Sequence, residues 1–121
     1  VDLRGIILKP NFVVPGSTSL DTFDPDDIAR KTLEVLSSAV PVEVPGIMFL
    51  SGGLSDSNAT DILRRLNNLP KEKPWAMSFS YGRALQSASL KAWGGKSENV
   101  PSAQSAFLDV AKKNSDACAG K

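Results

Sequence analysis

Ile6-Ile7-Leu8-Lys9-Pro10-Asn11 is the stretch on which the reading of this fold turns. An apolar run from Gly5 to Leu8 leads into a lysine, and a proline follows at once. Proline confines the residue before it to extended backbone, so Lys9 reads as the last residue of a strand. Two later runs share that plan. Gly46-Ile47-Met48-Phe49-Leu50 leads into Ser51-Gly52-Gly53, and Trp75-Ala76-Met77-Ser78-Phe79 leads into Ser80-Tyr81-Gly82-Arg83. Each run has the length and apolar character of a buried strand.

Helical patterns fill the intervals. Asp24 is a good N-cap, Pro25 suits the first helical position, and Asp26 and Asp27 favour the positive end of a helix dipole. Ile28, Ala29, Leu33, Leu36 and Val40 then recur at helical spacing until Pro41 and Pro45. Ser55 opens a second helix with Ala59, Ile62, Leu63, Leu66 and Leu69 on one face. Pro70 and Pro74 bracket the charged loop Lys71-Glu72-Lys73. A third helix runs from Gly82 or Arg83 to about Ala92 and stops at Gly94-Gly95. A fourth begins near Pro101, with Ala103, Phe107, Val110 and Ala111 expected to face inward, and ends by Gly120. The order β-α-β-α-β-α-α implies a parallel sheet with right-handed crossovers. Two architectures fit it. One is a small open α/β sheet; the other is the last three βα units of an eight-fold barrel plus a terminal helix. A barrel needs about 250 residues.

Composition narrows the chemistry. The chain has 121 residues, 41% hydrophobic and 22% charged, which suits one globular domain. Its 14 basic and 13 acidic side chains leave +1, so no basic surplus supports nucleic-acid binding. No apolar run approaches the roughly 18 residues of a membrane span. The first residues, Val1 to Arg4, resemble no targeting signal. Without histidine, the usual general base and metal ligand are missing, and catalysis would rest on Lys, Tyr, Asp or Glu. Cys118 is the only cysteine, so no internal disulfide forms and a reducing compartment is expected.

Three polar groups would share the carboxyl edge of the sheet. Lys9, partly desolvated and neutral, could attack a carbonyl, although most strand-end lysines keep the ammonium in water. Ser51-Gly52-Gly53 could turn backbone N–H groups toward a phosphate, or be a plain strand-to-helix turn. It matches neither the P-loop nor the dinucleotide spacing. Ser80-Tyr81-Gly82-Arg83 opens a helix whose N-terminus attracts anions, and Arg83 adds a fork of donors. An arginine there works against the helix dipole, which favours a functional reason for it. Asp24, Asp26 and Asp27 are explained by capping. Trp75 and Trp93 are expected to pack, and Tyr81 is better suited to packing than to proton transfer.

These segments, together with Lys73-Pro74-Trp75-Ala76, Phe79 to Gln86 and Leu90 to Lys96, occur in an order and spacing that resemble the class I fructose-1,6-bisphosphate aldolases. The likeness spans nearly the whole chain. It implies a TIM (β/α)8 barrel, with residues 1–121 forming its C-terminal part: the last three βα units plus a terminal helix. It implies that Lys9 is the Schiff-base lysine. Ser51, Gly52, Gly53, Ser80, Gly82 and Arg83 would hold the C1 phosphate of the ketose. Lys9 would add to the C2 ketone, and loss of water would leave a protonated imine. The C3–C4 bond would break and release glyceraldehyde 3-phosphate. Protonation and hydrolysis of the enamine would then free dihydroxyacetone phosphate.

The resemblance further implies a homotetrameric, glycolytic lyase that needs no metal or other cofactor and is cytoplasmic, a plastid or other organelle being left open. Cytoskeletal partners are a family property, whereas nucleic-acid and membrane partners are not expected. The family's proton-transferring carboxylates and a second lysine lie on earlier strands, and its C-terminal tail often ends in tyrosine. None of these has a counterpart here, so the chain reads as a piece of an aldolase that is inactive alone. The stretch from Pro15 to Asp27 departs from the commonest members. A related sugar-phosphate aldolase and a non-catalytic phosphate-binding scaffold are the rival readings.

Overall fold

Three short strands pair in parallel in chain order, β1 (Ile7–Leu8), β2 (Gly46–Phe49) and β3 (Ala76–Phe79), in a computed structural model that describes residues 1–121 in full. The register aligns Ile7 with Gly46 and Ala76, then Leu8 with Ile47 and Met77. Between and after the strands lie α1 (Pro25–Ala39), α2 (Asp56–Asn68), α3 (Arg83–Trp93) and α4 (Val100–Cys118). The observed fold class is α/β, as expected from the alternation. The ladder is shorter than the apolar runs. Gly5 and Ile6 precede it, and Trp75 lies just before β3. Trp75 packs instead, buried, with its indole N–H donating to the Pro41 carbonyl at 2.9 Å.

The helix starts follow local chemistry. The Asp24 carboxylate accepts from the Asp26 N–H at 3.0 Å, with Pro25 in the first turn. The Ser55 hydroxyl accepts from the Asn58 N–H at 3.2 Å. Asp26 reaches across to Arg65, which also binds Asp61, so the acidic first turn of α1 is tied to α2. Asp27 pairs with Arg30 and Lys31. These aspartates are used in capping and ion pairs.

The helices cover one face of the sheet. Ile28, Ala29, Leu33 and Leu36 of α1 and Ala59, Ile62, Leu63 and Leu66 of α2 meet Ile47, Phe49 and Met77 in one core. Phe12, beyond β1, joins it by stacking on Phe49 at 4.5 Å. On the opposite face Gly46 is buried, but its neighbours in the row are open: Ile7 is 57% exposed and Ala76 is exposed. On α4, Ala103 and Val110 are buried as expected, but Phe107 is 38% exposed. Trp93 is also open, at 43%. Both lie along an apolar groove between α3 and α4 that no other element of the chain fills. Asn114 is fully buried yet satisfied, accepting from the Thr60 hydroxyl and donating to the Val110 carbonyl. No helix is long and apolar enough to cross a membrane.

Phe49→Ala is expected to lower unfolding stability by about 3–5 kcal/mol, the cost of emptying a large buried site. Chemical denaturation measures it. A loss below about 1 kcal/mol would mean that the Phe12–Phe49 stack is not a core contact.

Candidate functional site at the carboxyl edge of the sheet

Hydrogen bonds beyond the strands hold their ends together. The Leu50 N–H donates to the Pro10 carbonyl at 2.9 Å, and the Ser80 N–H donates to the Phe49 carbonyl at 2.8 Å. The residues after Leu8, Phe49 and Phe79 therefore leave the sheet at one edge. Lys9 follows β1 directly and is exposed, with no acidic side chain in salt-bridge range. Extended backbone points it to the side that Ile7 faces, two residues earlier. That side is the open one.

The loop after β2 is built from left-handed glycines. Gly52 has φ 58° and Gly53 φ 86°, a region costly to other residues. A Cβ on Gly52 would also fall 2.1 Å from Asn11 Oδ1 and 2.4 Å from its Nδ2, whereas one on Gly53 would meet nothing within 4 Å. The Leu54 N–H closes the turn on the Ser51 carbonyl at 2.9 Å. The N–H groups of Gly52 and Gly53 have no acceptor in the chain.

After β3 the chain opens α3, which like α4 has no side-chain cap. Gly82 is the N-cap, and the first turn holds no acidic residue. The Gly82 carbonyl accepts from Leu85 and Gln86, which leaves the Arg83 and Ala84 N–H groups free. Arg83 is exposed and unpaired. Tyr81 is turned away from this edge. It is 5% exposed and donates its hydroxyl to the Ala59 carbonyl at 3.0 Å. Burial, with a smaller push from Cys118, holds its phenol well above the ordinary range. Packing is thus its role. Cys118, half-buried, sets its thiol 3.2 Å from the Ser78 hydroxyl.

A cleft of about 480 Å3 lies between the α2 and α3 N-termini. Ser51, Gly53 and Arg83 line it, together with Ser55, Asp56, Ser87 and Lys91. Lys9, Gly52, Ser80 and Gly82 are outside its lining, although Gly52 and Gly82 adjoin residues that line it. Two helix N-termini, free amides and two cations against one aspartate make an anion-attracting surface. Lys91, Ser55 and Ser87 are not among the site residues to which the sequence points. The periodicity of α3 was the available signal, since positions 83, 87 and 91 follow one another at four-residue spacing. Nor was the Asn11–Gly52 contact read from the sequence.

Parallel strands whose loops gather at one edge define an α/β protein, and in such sheets ligands bind beyond the carboxyl ends of the strands. The family model for class-I fructose-bisphosphate aldolase matches residues 1–121, and the chain belongs to that family. It is 53% identical to cytosolic fructose-bisphosphate aldolase 4 of Arabidopsis thaliana, over 99% of this chain and 30% of that protein. It is 55% identical to the cytoplasmic isozyme of Spinacia oleracea, over 98% of this chain and 33% of that one. A solved fructose-bisphosphate aldolase from Plasmodium falciparum, in complex with TRAP and a small-molecule inhibitor, superposes with a TM-score of 0.96 at 43% identity. That match covers 100% of this chain and 35% of the other. The chain thus spans about a third of the length of the relatives it matches.

Gly52→Ala is expected to cost about 1–2 kcal/mol from backbone strain alone, and more from the Asn11 clash. Gly53→Ala incurs only the strain. Paired unfolding measurements check this ranking; equal losses would show that Asn11 moves aside freely.

Proposed function

We propose that this chain is the C-terminal part of a class I fructose-bisphosphate aldolase. In this reading it supplies the last three βα units and terminal helix of a single (β/α)8 barrel domain. Family membership supports the activity, and the open face carrying Ile7 and Ala76 supports the barrel. A parallel sheet is normally covered on both sides, and a barrel fills its inner side with layers of side chains.

Lys9 is the nucleophile of the proposed reaction. Its neutral amine attacks the C2 ketone of fructose 1,6-bisphosphate, and water leaves as the protonated imine forms. Electrons of the C3–C4 bond flow into that imine, glyceraldehyde 3-phosphate departs, and the enamine is protonated and hydrolysed to dihydroxyacetone phosphate. The amides of Gly52 and Gly53, the turn at Ser51, the strand end at Ser80 and the α3 N-terminus at Gly82 and Arg83 receive the C1 phosphate. The observation that carries this is the single sheet edge shared by Lys9 and the two amide-rich loops, with Arg83 beside them. No acidic side chain stands beside Lys9, so proton transfer is assigned to parts of the barrel outside these residues. The isolated 121 residues are accordingly inactive. The proposed holoenzyme is a cytoplasmic homotetramer acting in glycolysis; the names of the plant relatives support the compartment. The TRAP complex of the Plasmodium relative supports a capacity for protein partners.

Borohydride reduction of the full-length protein with dihydroxyacetone phosphate is expected to give a stable adduct on Lys9, lost in Lys9→Met. Phosphate binding without an adduct would instead establish the scaffold reading. Arg83→Ala is expected to weaken dihydroxyacetone phosphate by tenfold or more and to leave unphosphorylated dihydroxyacetone nearly unaffected. Equal losses for the two ketones would remove Arg83 from the phosphate site.

A further inference from the structure

We propose that Asn11 is a positioning residue that sets the Gly52-Gly53 loop for anion binding; this rests on the phosphate-site reading above. Asn11 is held from both sides. Before it, the Pro10 carbonyl is bound by the Leu50 N–H at 2.9 Å. After it, Phe12 is buried against Phe49. Its own Oδ1 accepts the Phe12 N–H at 3.0 Å, which fixes the rotamer and identifies which end of the carboxamide is oxygen.

That fixed carboxamide occupies the space a Gly52 side chain would take. The crowding is one-sided, since a Cβ on Gly53 would meet nothing within 4 Å. Two successive glycines have many backbone conformations of similar energy, and within the loop only the Leu54 N–H to Ser51 carbonyl bond restrains φ 58° and 86°. Asn11 supplies a wall on one side of the loop. It thereby limits the directions in which the free Gly52 and Gly53 N–H groups point. Preorganised donors bind an anion without a further ordering cost, and a loosened loop must be ordered by the ligand. Asn11 also stands two residues after Lys9, so one rigid segment sets both the amine and the loop. The distance between the imine carbon and the phosphate of a bound ketose is fixed by covalent structure. A protein that holds both ends needs a spacer of this kind.

The consequence is specific to phosphorylated ligands. In the full-length protein, Asn11→Ala is expected to weaken inorganic phosphate at least tenfold by calorimetry. In borohydride trapping, the half-saturating dihydroxyacetone phosphate concentration is expected to rise by a similar factor. That for unphosphorylated dihydroxyacetone stays within twofold. Asn11→Asp keeps the shape and the Oδ1 acceptor but adds a charge. Its loss of phosphate affinity is expected to shrink as salt is raised, because exposed charges are screened. Unchanged phosphate affinity in Asn11→Ala, or equal losses for the two ketones, would overturn the proposal. A wild-type protein that binds phosphate but traps no ketone refutes the imine reading only. The variant's phosphate affinity then still decides the role of Asn11. A wild type that binds neither overturns both.

Discussion

Phe49 ties the three strand ends to one another. Its ring is fully buried and stacks on Phe12, its carbonyl accepts the Ser80 N–H, and its successor Leu50 donates to Pro10. Each backbone bond contributes only about 1 kcal/mol net. The larger constraint is register. A one-residue slip of β2 would turn Phe49 out of the core and bring Met48 in. Burial of one aromatic ring therefore fixes where all three segments leave the sheet, and the candidate site inherits its geometry from that choice.

Local chemistry was legible in the sequence and long-range contact was not. Asp24-Pro25 and Ser55 marked helix starts because a cap is a matter of a few adjacent residues. The parallel α/β order followed from alternating periods. The expectations that Phe107 faces inward and that Trp93 packs failed for a physical reason: the two are 38% and 43% exposed. Periodicity shows which face of a helix is apolar, but the presence of a second surface against that face is a property of the rest of the protein. The Asn11–Gly52 contact was hidden for a related reason. It joins residues 41 positions apart (52 − 11) through a register that no local pattern encodes. Lys91 joined the cleft only once the α2 and α3 N-termini were seen side by side.

The helix starts also differ in a way that separates stability from function. α1 and α2 carry side-chain caps and first-turn aspartates, and so compensate the positive ends of their dipoles. α3 begins at glycine, has no side-chain cap, and adds Arg83 to an end already positive. A cap is typically worth about 1 kcal/mol and an acidic first turn about 0.3–1 kcal/mol. α3 forgoes both. α4 likewise has no side-chain cap and no first-turn acid, so what sets α3 apart is Arg83 at its start, at the edge where the strand-end loops gather, which is what a site reserved for an anion would require.

The open face of the sheet bears on the same division. β1 and β3 are both edge strands here, and unpaired parallel edges are a liability in water. Closing the sheet into the proposed barrel would pair both edges and cover Ile7 and Ala76. Because Lys9 points to that same side, the strands that close the barrel would also surround its amine. Folding and chemistry would then depend on one event. The nucleophile and the phosphate loops are carried by strands that register locally around Phe49, while the groups that move protons arrive with the strands that complete the ring.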